Sequence, residues 1–330
     1  MRVTFYQRLA QGGAVSIERL FADIRRSLPD NIQATVAVSR FASKGFFPRI
    51  YNMIEAAFRQ GDINHITGDV HYLALLLRKR KTLLTIHDLV LVHRLKGWRR
   101  SLLVFLWYWL PIKRVAMVSV ISESTKKDLL EHIKVDPKKV RVVYDCVSDD
   151  FKPFFNEFNV VKPVILQIGT GLNKNLERVA LALSEISCHL RIIGELNIEQ
   201  KLALERSGVE YSAVCNISDE ELLKEYCLCD LVVFVSTFEG FGLPIIEAQA
   251  VGRPVVTSTL WSMPEVAGNA ACLVDPFKIE DIKKGLLRVM SDKNYRNSLV
   301  ANGYINVQRF RPKQIADQYN QLYEEIYASK

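Results

Sequence analysis

Residues 234–258 read FVSTFEGFGLPIIEAQAVGRPVVTS, and the order of residue types in this stretch decides the fold class. LVVFVS, which ends at Ser236, is a short apolar, β-branched run of the kind that forms a buried strand. PIIEAQAVG has helical spacing, with Pro244 at a first helical position. Strand, glycine loop and helix therefore follow one another. Such a loop gathers backbone N–H groups beside the positive end of a helix dipole and favours an anionic or polar ligand. Glu239 precedes the turn, and Glu247 falls about one turn into the helix. A carboxylate accepts two hydrogen bonds at once, which matches a vicinal diol such as that of a ribose or a hexose. On local chemistry alone a second reading stays open: Glu247 complements its own helix and Glu239 is solvated, because units of this kind are common.

The same alternation runs outward in both directions. RVTFY, QATVAV, TLLTIHD, VAMVSVIS and VRVVYD precede it, and PVILQIG, LRIIGE and PVVTS accompany it, each separated by amphipathic helical segments. This is the βαβ pattern of parallel sheets covered by helices, an α/β class of two doubly wound domains. A chain of 330 residues can bury two such cores. Periodicity lapses over 148–163, SDDFKPFFNEFNVVKP. The expected division is 1–157, 158–310, and a final helix over 311–330 that returns to the first domain. In facing doubly wound domains ligands bind beyond the carboxyl ends of the strands, so functional residues are expected just after strands.

QIGTGLNKNLERV places Thr170 after a strand and Lys174 at the opening of the next helix. Two positive groups conflict there, and a bound diphosphate would relieve the conflict; a solvated surface lysine is the plainer alternative. TLLTIHDL places His87 and Asp88 at the end of a strand in the front half, whereas His65, His71, His93, His132 and His189 show no partner pattern. YQRLAQGGAVSIERLF reads strand, glycine loop, helix, with Gly13 allowing close backbone approach, but it is not G-x-G-x-x-G. No D-x-D pair and no His/Cys cluster is evident in the sequence, so metal chemistry is not expected.

Residues 1–157 carry 26 Lys and Arg against 15 Asp and Glu, within a chain of net charge +8, so the front half suits an anionic partner. The six cysteines are scattered and read as reduced and mostly buried. No apolar run approaches the roughly 20 residues that span a bilayer, and MRVTFYQRLAQGG lacks a signal-peptide core, so a cytoplasmic protein is expected. The segment LKGWRRSLLVFLWYWLPIKR, residues 95–114, holds three of the four tryptophans between clusters of Lys and Arg. It reads either as a peripheral contact with the inner membrane face or as a buried helix with charged ends.

With these residues in view, the chain resembles glycosyltransferase family 4, the group 1 glycosyltransferases of GT-B fold. FEGFGLPIIEAQAVGRPVV carries two glutamates with seven residues between them; GTGLNKNLERV, TIHDL, DEELLKEYCLCDLVVFVS and MPEVAGNAACLVDP extend the likeness over nearly the full length. The resemblance implies a hexosyltransferase that retains anomeric configuration, needs no metal or other cofactor, and takes a UDP- or GDP-linked sugar. It implies a glycan or lipid-linked acceptor in polysaccharide or lipopolysaccharide assembly, and no nucleic-acid partner. Glu239 would contact the donor sugar beside the reacting carbon, and Glu247 the ribose hydroxyls. The N–H groups of Gly240, Phe241, Gly242 and Leu243 would hold sugar and phosphate. Thr170 and Lys174 would meet the diphosphate, Gly13 would let the front domain touch it, and His87 would lie beside the sugar on the acceptor side. Ile217 is the candidate for backbone contact with the base. Two departures stand out: the family's loop arginine is absent before Lys174, and Asp145, Cys146 and Val147 replace the usual N-G-V. A nucleotide-sugar epimerase and a non-catalytic donor-binding protein are the alternative readings.

Overall fold

The computed structural model describes residues 1–9 and 16–329. Among them, twelve strands form two six-stranded sheets, parallel throughout. The chain divides into two compact units, Met1–Cys146 with Pro312–Lys330, and Val147–Arg311.

In the first unit the strands are β1 (Arg2–Gln7), β2 (Gln33–Val38), β3 (Ile63–Ile66), β4 (Thr82–Ile86), β5 (Met117–Val120) and β6 (Val140–Val142). They lie in the order β2-β1-β3-β4-β5-β6. Every residue of β3, β4 and β5 is buried, as both faces of a helix-covered parallel sheet require. β3 reads INHI, and its two polar residues are satisfied inside the core. His65 Nδ1 lies 2.7 Å from the hydroxyl of Tyr323, and its Nε2 lies 2.7 Å from that of Thr85, which reaches Ser119 at 2.6 Å. Burial holds the His65 imidazole well below its usual pKa. This chain of hydrogen bonds fastens the C-terminal helix Pro312–Ala328 to β3, β4 and β5, with Ile315, Tyr319 and Ile326 buried along the same face.

The second unit contains β7 (Val164–Ile168), β8 (His189–Ile193), β9 (Glu210–Val214), β10 (Leu231–Phe234), β11 (Val255–Ser258) and β12 (Cys272–Val274), in the order β12-β11-β10-β7-β8-β9. Residues 148–157, which the sequence groups with the first domain, belong to this unit instead. The reason is polar: Arg253 donates to the carbonyls of Phe154, Tyr226 and Cys227 at 2.8–3.1 Å. The Asp230 carboxylate accepts the N–H groups of Asn159 and Val164 at 2.8 Å each. Two buried charges thus clamp an otherwise irregular segment to the sheet.

All six cysteines are free, and four of them are buried. No helix among the described residues is long and apolar enough to cross a membrane.

Candidate active site

In the second unit the connections reverse direction between β7 and β10: β7 leads towards β8 on one side, β10 towards β11 on the other. The crevice beyond the carboxyl ends of two such strands is where open α/β sheets hold ligands. Both loops there are built around sequence-predicted residues.

After β10 the chain turns through Thr237–Gly242 into the helix Leu243–Val251. Gly242 has φ +111°, and a Cβ there would meet the Ile245 side chain at 3.1 Å, so the turn requires glycine. Leu243 opens the helix, and its positive end therefore sits at the turn. The Phe241 ring is buried edge-on against Phe310, with ring centroids 5.6 Å apart, and anchors the loop from below. Ser262, fully buried, reaches the carbonyls of Glu239 and Phe241 at 3.0 and 2.7 Å, which fixes the backbone around Gly240.

After β7 a short turn, Leu172–Lys174, brings Lys174 across to this loop. Lys174 Nζ donates to Glu239 Oε1 at 2.6 Å and lies 4.6 Å from the centroid of the Phe234 ring. Asn173 Nδ2 lies 3.1 Å from the same carboxylate oxygen and donates to the Phe238 carbonyl at 3.0 Å. Lys174 and Glu239 are both partly buried, so their charges are less screened than on an open surface. The pair concentrates an ammonium and a carboxylate at the switch point of the sheet.

Thr170 has a structural duty in addition. Its hydroxyl donates to the Glu195 carbonyl at 2.7 Å, and its carbonyl accepts from Gln200 at 2.6 Å. Gly194, φ +145°, permits that approach, because a Cβ there would stand 2.8 Å from Thr170. Glu247 is buried inside the helix Leu243–Val251, and its Oε2 accepts the Tyr226 hydroxyl at 2.7 Å. Ile217 follows β9, half-buried beside Asn216, whose φ is +55°. Thr170, Lys174, Glu239 and Gly240–Leu243 thus belong to two touching loops, with Glu247 one turn further and Ile217 two strands away from β7.

His87 belongs to the other unit. It follows β4, and its Nε2–H donates to the Thr67 carbonyl at 2.9 Å. Asp145, buried in the same unit, has its carboxyl pushed up to about 6 by burial, opposed by the charge of a nearby His87. Gly13 lies outside the described residues.

Sequence reasoning missed Tyr226 and Ser262, which hold Glu247 and the Glu239 backbone through contacts distant in the chain. It also left His93 and His132 without partners. The structure corrects this: both converge on the Asp128 carboxylate, the one group of potential metal ligands found among the described residues.

Helix Phe46–Phe58 and the helical segment 97–113 of the first unit are each half-sunk in the core. Trp98, Leu102, Phe105 and Leu106 lie exposed along one face of the second, although Tyr108 and Ile112 are buried beneath it. Phe47, Tyr51, Ile54 and Phe58 form a like stripe on the first, and Arg49 stands 5.0 Å from the Trp107 ring centroid between the two. A hollow of about 730 Å³ in the second unit, lined by Phe154, Phe155 and Arg296, lies by Asp230 and Pro254. That is the amino end of β10 and β11, away from the switch point.

Two parallel sheets of this order, with a C-terminal helix returning to the first, define a GT-B protein. Residues 148–306 match the model described as glycosyl transferases group 1, and residues 31–151 match glycosyltransferase family 4. The chain belongs to this family of glycosyltransferases. It is 37% identical over 94 residues to the O-antigen chain mannosyltransferase B of Escherichia coli, covering 28% of this chain and 25% of that one. Over 252 residues it is 29% identical to the MMP alpha-(1->4)-mannosyltransferase of Mycolicibacterium hassiacum, covering 70% and 61%. The chain therefore spans a quarter of the first relative's length and under two thirds of the second's. Its fold is similar to that of Anabaena HepE in complex with UDP and glucose, with TM-score 0.79 and 16% identity over 98% of this chain and 100% of that one.

Proposed function

We propose that this chain transfers a hexose, with retention of anomeric configuration, from a UDP- or GDP-linked sugar to a glycan or lipid-linked acceptor in surface-polysaccharide assembly. The observation that carries the proposal is the Lys174–Glu239 pair at 2.6 Å, set at the switch point beside the opening of the helix Leu243–Val251.

In this reading the diphosphate competes with Glu239 for Lys174, and the helix terminus shares its charge. The released Glu239 carboxylate accepts hydroxyls of the donor sugar. Glu247, oriented by Tyr226, takes the ribose diol. The acceptor hydroxyl attacks the anomeric carbon from the face the diphosphate leaves, and its proton passes to the departing phosphate. The protein contributes position and charge stabilisation in place of a strong base or a metal at the diphosphate. Both curated relatives are named for mannose transfer, which makes GDP-mannose the first donor to test.

Thermal melts against nucleoside diphosphates and their sugars test the site. Ligand at about 100 times its dissociation constant adds roughly 2.7 kcal/mol, enough to move a midpoint by several degrees. One nucleotide is expected to stabilise the wild type, and Glu247→Ala is expected to abolish that shift. A panel that moves neither protein would reject the nucleotide site.

The basic first unit and its exposed aromatic stripes support a second element, docking on an acidic bilayer where a lipid-linked acceptor resides. Each Lys or Arg near such a surface contributes about 1 kcal/mol. Sedimentation with phosphatidylglycerol vesicles should exceed that with phosphatidylcholine and weaken in Trp98→Ser/Phe105→Ser. Equal recovery in the supernatant with both vesicle types would rule out this element.

A further inference from the structure

We propose that His93, Asp128 and His132 form a binding site for one first-row divalent cation, zinc foremost, apart from the nucleotide site.

The construction begins with spacing. Asp128 and His132 stand four residues apart on the helix Glu123–His132 and share a face, with His132 in its last turn. His93 comes from the short helix Val90–Arg94, which follows the turn that bears His87. The Asp128 side chain is 5% exposed, and both of its oxygens are engaged. His93 Nε2 lies 3.0 and 2.9 Å from Oδ1 and Oδ2, and His132 Nδ1 lies 3.0 Å from Oδ1. All three ligand atoms fall within 4.8 Å of one another.

Bonds of about 2.0–2.2 Å to zinc place neighbouring ligand atoms of a tetrahedron about 3.4 Å apart. The nitrogen–oxygen separations of 2.9–3.0 Å are shorter than that spacing, so the imidazoles and the carboxylate would draw apart by roughly half an ångström to admit the ion. Two imidazoles and one carboxylate are a donor set for zinc, cobalt or nickel, whereas magnesium and calcium favour oxygen alone. Three protein ligands leave a fourth position, and His93, partly exposed, lets water reach it.

Proton balance follows from the contacts. Each imidazole must present a lone pair at the nitrogen that faces Asp128, so its N–H moves to the other ring nitrogen or leaves to solvent. His132 Nδ1, which also lies 2.9 Å from its own helix carbonyl at Asp128, gives up that hydrogen bond.

A cation here would staple the helix after His87 to the helix Glu123–His132. Its effect would be on the position of the His87 turn, with no step of the transfer passing through it.

The test uses tag-free full-length protein, stripped with chelator, dialysed and titrated with cobalt(II), then with zinc as competitor. One equivalent per chain should bind, with visible d–d absorption and without the near-ultraviolet charge-transfer band of a thiolate ligand. His93→Ala and His132→Ala should each weaken binding at least about 100-fold, the upper end of what loss of an outer-sphere partner costs. Cys215→Ser, at the exposed thiol, should leave binding unchanged. A folded wild type that binds no stoichiometric cobalt would overturn the proposal, and the triad would then be a hydrogen-bonded clasp. Binding that survives both histidine variants, or a thiolate band, would overturn it equally. The two histidine variants lie on different helices, so misfolding of one leaves the other decisive. Nucleotide binding by Glu247→Ala is a separate readout, so failure here is distinguishable from failure at the donor site.

Discussion

Lys174→Ala is expected to keep its fold and lose about 10²–10³-fold in kcat/KM for the nucleotide-sugar, the usual consequence of removing one group aimed at developing charge. The side chain sits at the rim of the crevice and carries no part of the apolar core, so unfolding is not the expected failure. The loop before it offers Thr170 and Asn173 where the family resemblance implies an arginine, and the Thr170 hydroxyl is committed to the Glu195 carbonyl. In the proposed mechanism Lys174 would therefore bear more of the diphosphate charge than a lysine assisted by a guanidinium. Removal also leaves Asn173 as the partner of Glu239 Oε1 among the described residues, so the single variant mixes two effects. A cycle with Glu239→Gln separates them: coupling of 0.5–3 kcal/mol is the range for residues in contact. Steady-state kinetics with matched melting curves provide the check. A loss below about tenfold would mean that the leaving group is stabilised elsewhere, and the proposed mechanism would fall.

How much of this was legible in the sequence depends on how far each residue's partners lie along the chain. The placement of Glu239, Gly242 and Glu247 is legible because strand, turn and helix are consecutive. The apolar strands are legible for the same reason. β3 is not, since INHI looks like a loop until Tyr323, 258 residues on, satisfies His65. β9, EYSAV, is an edge strand of half-exposed residues, and β12 has three residues, too few for any period. Tyr226 and Ser262 fail likewise, because their hydrogen-bond partners come from other elements. The triad at Asp128 was half legible: Asp and His four apart on a helix is a visible pattern, but His93 arrives from another helix. The stripe Phe47, Tyr51, Ile54 and Phe58 has plain helical spacing and would be read as core. Only the fold reveals that this face is exposed.

The departure at Asp145 yields the second large effect. Where the family resemblance implies an asparagine, this chain buries a carboxyl, and burial raises it to about 6 against the opposing charge of His87. A carboxyl whose folded pKa exceeds its unfolded value of about 3.9 contributes stability fully below that value. The contribution disappears as pH rises through about 6, because the folded state must then ionise a buried group. His65 has the opposite sign: its pKa is depressed by burial, so its contribution stands above about 6.5 and is lost as pH falls. Asp145→Asn removes the first dependence and leaves the second. At pH 8 the variant should gain about 2–3 kcal/mol, at 1.36 kcal/mol per pKa unit, and melt higher by about 2–4 °C for each kcal/mol. At pH 4 the two proteins should melt together. Melting curves of both proteins from pH 4 to 8 measure this directly. If the variant instead melts lower at pH 8, the Asp145 carboxylate is compensated inside the folded protein and its burial carries no net cost.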